Sequence, residues 1–145
     1  MKYKNFGTSI YVRFDKGDEI LSKLEEVCKN ENIKAASVSG IGGCGEIVVG
    51  TYNLEKKDYI IEEKSGLFEM ISLTGNVTLD EKDNPYIHAH AIFSYIDDNN
   101  KSCIIGGHLK KAVILLTGEI VINPVNNEVI KRVKDASSAL NIWDL

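Results

Sequence analysis

Several things are scarce in this chain, and each scarcity excludes something. No apolar run approaches the roughly 18 residues that a membrane-crossing helix needs. The first 17 residues, "MKYKNFGTSIYVRFDKG", hold no apolar leader core or cleavage site, so the chain reads as cytoplasmic and without membrane contact. Cysteine occurs three times, at Cys28, Cys44 and Cys103, in an odd number and with no CxxC pair. That excludes a disulfide framework and suits a reducing compartment. Basic residues are in deficit: 17 Lys and Arg stand against 21 Asp and Glu, a formal charge of −4. Duplex binding draws most of its non-specific affinity from a basic face, which this balance does not support. The two prolines, Pro85 and Pro124, sit in turn signals, and no linker or low-complexity tract interrupts the 145 residues. One domain, 1–145, follows.

What is present points to an α+β fold. "YVRF" (11–14) alternates as a strand does. In "GDEILSKLEEVCKNENI", Ile20, Leu21, Leu24, Val27 and Cys28 share one helical face, with Asp18 and Glu19 at the positive end of the helix dipole. That stripe is expected to be a core face. Beyond it the chain reads almost wholly as strands: 35–41, 46–53, 58–64, 68–79, 86–96, 102–107, 112–122 and 128–133. "DEKDNP", "DDNN" and "NPVNN" mark turns between them. The expectation is a mainly antiparallel or mixed sheet of about seven to eight strands packed on one main helix. The tail "DASSALNIWDL" is expected as a short helix or a docked strap.

Two glycine patterns need a reading. "SGIGGCGE" (39–46) looks like a phosphate loop, but an alternating strand follows it, where such loops need a helix. A tight strand-to-strand turn with positive φ is expected instead. "LTGNVTL" (73–79) and "LTGEIVI" (116–122) echo each other, and each glycine is expected at a bulge. Cys44 lies within the first pattern. It reads either as a nucleophile near the histidines or, with more weight, as an unreactive small residue.

Histidine is also scarce, and its three copies lie close together: His88 and His90 in "YIHAHAIF", His108 in "IIGGHLKK". Residues i and i+2 of a strand face the same side, with Cα atoms roughly 6.5–7 Å apart. Two imidazoles so placed can converge on one ion. "SCIIGG" can pair back on the histidine strand through "DDNN", and Gly106 and Gly107 leave room for the third ring. Three histidines with a free fourth position is the donor set of catalytic zinc, although copper, nickel or iron also accept imidazole. The plainer alternative is hydrogen-bonded surface or core histidines. Glu69 and Glu119, lone acids in apolar strands, are candidates to complete the site or act as general base, or they simply face solvent.

The order of "YVRFDKGDEI", "SVSGIGGCGE", "FEMISLTGNV", "HAHAIF", "GGHL" and "DASSALNIW" resembles the plant-and-prokaryote conserved domain, PPC or PCC, over nearly the whole chain. The resemblance implies a sheet packed around a helix and a homotrimer. In plant members the domain is joined to AT-hooks and acts in DNA-binding nuclear regulators. Prokaryotic members are single domains, often labelled "putative DNA-binding", some with a metal at the histidines matching His88, His90 and His108. The family fold is also similar to that of acetolactate decarboxylases, which carry zinc on three histidines. A plant hexapeptide, Gly-Arg-Phe-Glu-Ile-Leu, matches Gly66 to Ile71, retaining Glu69 and replacing its arginine by Leu67. No Arg-Gly-Arg AT-hook core occurs. Three functions remain open: a DNA-associated regulatory module with a zinc site; a metal-dependent lyase or hydrolase acting on a small molecule, with Glu69 as candidate catalytic acid; or a structural trimer whose histidines do no chemistry.

Overall fold

The computed structural model describes residues 1–125 and 128–145. Among these described residues nine elements follow one another. They are β1 (Lys2–Asn5), β2 (Ile10–Phe14), α1 (Ile20–Asn30), β3 (Ala36–Asn53), β4 (Asp58–Leu79), β5 (Pro85–Ile96), β6 (Ser102–Pro124), β7 (Lys131–Lys134) and β8 (Asn141–Asp144). The expected α+β architecture is present. All eight strands belong to one sheet, ordered β1-β2-β6-β3-β4-β7-β8, while β5 pairs with both β4 and β6. Because β3 also pairs with both β4 and β6, strands β3, β4, β5 and β6 close into a ring. Pairing is antiparallel except for one parallel bridge, Leu79 with Lys131. Among the described residues, no helix is long and apolar enough to cross a membrane.

The helix forms as its periodicity predicts. Ile20, Leu24, Val27 and Cys28 are buried, and α1 packs on β5 and β6. Glu19 is its N-cap, its carboxylate accepting from the backbone of Leu21 (3.1 Å) and Ser22 (2.8 Å). The same carboxylate accepts from the Ala112 backbone at 3.3 Å, tying the helix start to β6. At the other end Asn32 takes φ +53°. Ile33 N–H then bonds Cys28 O at 2.8 Å and Asn32 N–H bonds Lys29 O at 3.3 Å, a Schellman stop.

The expected strand breaks are where sequence and structure differ. Segments 35–41 and 46–53 are one strand, β3, and the glycine run between them is not a turn. None of Gly40, Gly42, Gly43 or Gly45 has positive φ. Likewise 58–64 joins 68–79 as β4, and 102–107 joins 112–122 as β6. Straight, the 23 residues of β6 would span roughly 75 Å at about 3.3 Å each. A domain of this length has a radius of gyration of only about 15 Å. The long strands must therefore coil, and they do so at register shifts between Gly40 and Gly42, Gly42 and Cys44, and Cys44 and Glu46. Glycine is needed there for close approach: a Cβ on Gly40 would stand 2.6 Å from the Glu119 carbonyl oxygen.

The echo also resolves unevenly. Gly118 borders a register shift in the β3–β6 pairing. Gly75 lies in unbroken pairing with Val38 and Ala89, so its bulge does not exist. Gly75 is small because β5 crosses tightly over it. At the C-terminus, β7 starts at Lys131 rather than 128, and the tail is a strap ending in β8, which pairs with β7. The turn expected at "NPVNN" extends over residues 126 and 127, outside the described residues.

Two Asp-capped turns give the sheet its meander. The Asp80 carboxylate accepts from the backbones of Lys82 and Asn84, both at 2.8 Å. Asp97 accepts from Asn99 at 2.9 Å and Lys101 at 2.8 Å. These turns join β4 to β5 and β5 to β6. A Cβ on Gly75 would press into the His88 carbonyl oxygen and reach Ala89 Cα at 2.8 Å. Gly75→Ala is therefore expected to destabilise the fold by about 1–3 kcal/mol, as read from chemical denaturation, whereas Gly45→Ala, whose added Cβ would meet only the Leu115 side chain, at 3.3 Å, loses less.

Candidate metal centre

The β5–β6 hairpin brings the three histidines together. His88 and His90 face one side of β5, with buried Ala89 facing the core. His90 stands directly across from His108 in the β5–β6 register, where side chains of opposed residues are neighbours. On the other flank of β5, His90 pairs with Thr74 and His88 with Asn76. Ring centroids are 5.4 Å apart for His88 and His90, 5.1 Å for His88 and His108, and 5.5 Å for His90 and His108. One nitrogen from each ring lies within 4.8 Å of the others. Bonds of about 2.0–2.1 Å require the rings to draw in slightly from this spacing. Gly107 permits the approach of β3 behind His108, since a Cβ there would lie 2.7 Å from the Gly50 carbonyl oxygen.

The environments of the rings differ. His90 is exposed and His88 half-buried. His108 is 8% exposed, and its ring lies 4.9 Å from that of Tyr59 at a 34° tilt. Its Nδ1 is buried with no hydrogen-bond partner. An orphaned buried polar atom costs about 1–3 kcal/mol, so it marks a place where a partner fits. Burial pushes His108 down to about 4, helped by the cations of Lys110 and the neighbouring rings. His88 is lowered mainly by burial, then by Arg132. Both imidazoles are neutral at pH 7, the form in which histidine ligates.

Beside His88 and His108 opens a cavity of about 490 Å³. Sequence reasoning did not find its other members. Arg132 from β7, 8% exposed, donates from Nε to Thr78 Oγ1 (2.8 Å) and from its terminal nitrogens to Asn141 O and Asn76 Oδ1 (both 2.7 Å). Its guanidinium lies 4.6 Å from the Tyr86 ring centre. Trp143 of β8 donates to the same Asn76 Oδ1 at 3.3 Å. The only hint was the tail's lone tryptophan, and periodicity cannot say where a strap docks.

The carboxylate candidates lie elsewhere. Glu69 and Glu119 are both exposed and share a cleft with Ile41, Ile71 and Leu116. Glu69 pairs with Ser94, four residues along β5 from His90, roughly 13 Å at strand spacing. Within one chain the fold brings Glu69 to Glu119 rather than to the histidines. Cys44 is fully buried in the core. Burial pushes its thiol up to about 12, which suits an unreactive residue.

Comparison with known proteins accords with this layout. No curated protein sequence matches the chain. Among solved structures, a "putative DNA binding protein" from Bacteroides thetaiotaomicron is 29% identical, with TM-score 0.88 over 99% of this chain and 96% of its own. A "metal-containing protein" from Archaeoglobus fulgidus is 29% identical, with TM-score 0.86 over 100% of this chain and 99% of its own. A PPC protein from Pyrococcus horikoshii is 30% identical, with TM-score 0.83 over 99% and 95%. An acetolactate decarboxylase from Bacillus subtilis shares the fold alone, at 14% identity and TM-score 0.58 over 88% of this chain and 57% of its own. Residues 1–126 match the Plants and Prokaryotes Conserved domain, and with the closed sheet and single packed helix already described, the chain belongs to the PCC (PPC) family.

Proposed function

We propose that this protein is a metal-binding PPC module that holds a divalent cation, zinc before others, on His88, His90 and His108. The observation that carries the reading is the orphaned, buried Nδ1 of His108 within a three-imidazole cluster. A cation shared by the rings gives His108 a partner that the protein does not supply. The "metal-containing" description of the Archaeoglobus relative supports the same reading. Such an ion supplies Lewis acidity toward a carbonyl or phosphoryl oxygen. The chain's own part is to present neutral imidazoles, to orient His108 against Tyr59 and to shield one side of the site with the strap. That cavity keeps a lyase or hydrolase acting on a small molecule as the enzymatic form of this proposal. Glu69 serves it as acid or base only if a second copy brings it near.

A homotrimer belongs to the proposal. Ile41, Leu67, Ile71 and Leu116 are each more than half exposed and gather around Glu69, an apolar patch that assembly covers. Association with DNA is the second reading, carried by the name of the Bacteroides relative and by one cleft. Lys2, Lys4 and Arg13 line it with Tyr3 and Tyr11, cations interleaved with aromatic rings. Against a net charge of −4, any direct contact rests on that patch.

Four measurements test these statements. Elemental analysis of untagged protein is expected to find near-stoichiometric metal, lost in His88→Ala/His90→Ala; absence from both, even after zinc is offered, overturns the site. Because protons compete for the same nitrogens, dialysis at falling pH should leave metal bound in the mildly acidic range and release it as pH approaches about 4, where His108 takes its proton. Analytical ultracentrifugation should give a trimer mass for wild type and a smaller species for Ile71→Asp. Affinity for duplex DNA should fall steeply with added salt, with slope of about −0.9 per phosphate contact, and weaken in Lys2→Ala/Lys4→Ala; a salt-independent signal removes direct binding.

A further inference from the structure

The cavity beside the histidines has a charge pattern that metal binding alone does not explain. Lys110 and Arg132 both line it, and among the described residues no Asp or Glu does. Arg132 is almost wholly buried, yet no carboxylate of the described residues lies within 4 Å of it; its three bonds go to neutral oxygens. A guanidinium has five N–H donors, so two remain. A buried charge without a counter-charge is costly, and the cost is one that an incoming anion removes. Lys110 is exposed, and its ammonium lies 4.3 Å from the Tyr59 ring centre. The rest of the wall is aromatic and aliphatic: Tyr59, Tyr86 and Trp143, with Leu140 and Ile142 from the strap. Those surfaces suit an unsaturated or apolar body rather than a hydrated inorganic ion.

We infer that this cavity is a binding site for a small organic oxyanion, a carboxylate or a phosphate ester, whose charged end meets Arg132 and Lys110 and whose apolar body lies against Tyr59, Tyr86 and Trp143. The pocket is cationic without any ion at the histidines, so the inference stands apart from the metal reading. A divalent cation on three neutral imidazoles adds positive charge and raises the demand for an anion further. Part of the wall lies beyond residues 1–126, the portion matched to the family: Arg132, Leu140, Ile142 and Trp143 all come from the C-terminal strap. The ligand preference is thus set jointly by the matched domain, through Lys110, Tyr59 and Tyr86, and by a segment outside it.

Trp143 is the chain's only tryptophan and is 45% exposed, so its fluorescence reports on this pocket alone. The test titrates the full-length protein, zinc-loaded and chelator-treated in parallel, with benzoate, phenyl phosphate and the neutral isostere benzamide, read by Trp143 emission and by calorimetry. Benzoate or phenyl phosphate should bind saturably and benzamide should not; the tighter of the two names the head group. Lys110→Ala, which alters an exposed side chain, and Arg132→Lys, which keeps the charge but loses the fork, should each weaken binding roughly tenfold, about 1.4 kcal/mol. Should Arg132→Lys loosen the strap, Lys110→Ala still decides. The inference is overturned if benzamide binds as well as benzoate, if neither anion binds either form of the protein, or if Lys110→Ala leaves the affinity unchanged. Anion binding to protein that proves unable to hold zinc would sink the metal reading and keep the pocket; stoichiometric zinc with no anion binding would do the reverse.

Discussion

Closure of the sheet is the constraint on which the rest depends. Strands β3 and β5 each hydrogen-bond to both β4 and β6, so a shift in any one pairing must be matched round the ring. Closure removes the exposed edges of the central strands and leaves β1–β2 and β7–β8 as outer flaps. It also dictates the sequence. Long strands must bend to return on themselves, which concentrates glycine and register shifts along β3. Inside, Phe14, Phe93, Ile47, Met70, Leu73 and Ile114 fill the core, and α1 covers the β5–β6 face.

The same closure makes the candidate site. His88 and His90 share a face by simple alternation, but His108 joins them only because the Asp97 turn sets the register that opposes His90 to His108. Burial of His88 and His108, and the positive charges of Lys110 and Arg132 beside them, favour the neutral imidazole at those two rings. A site with neutral donors in a positive field accepts a cation most readily when an anion accompanies it, so the proposed metal centre and the proposed anion pocket would reinforce one another.

How much was legible follows from the range of each signal. Helix α1 was readable within the stretch 17–33, since its apolar stripe and the acids at its start are local. The histidine cluster was readable because its members lie on two successive strands joined by one short turn. The glycine run misled because local pattern cannot distinguish a turn, where glycine supplies positive φ, from a coiled strand, where it supplies room for a neighbouring backbone. That neighbour, Glu119 and Ile120 of β6, is some eighty positions away along the chain. Glu69 read as a lone acid in an apolar strand, yet which cavity it meets was decided by packing.

By itself, then, the sequence determined the fold class, the helix, the alternation that aims His88 and His90 together, and a charge balance unlike that of a basic nucleic-acid binder. These are properties of neighbours along the chain. Only the tertiary structure decided that residues 139–143 of the C-terminal strap, with Arg132 of β7, would wall a cavity beside His88, that Arg132 would be buried there facing no carboxylate of the described residues, and that Glu69 would sit with Glu119 instead. Such pairings join residues dozens of positions apart, and they are selected by ring closure and core packing, which no local pattern encodes.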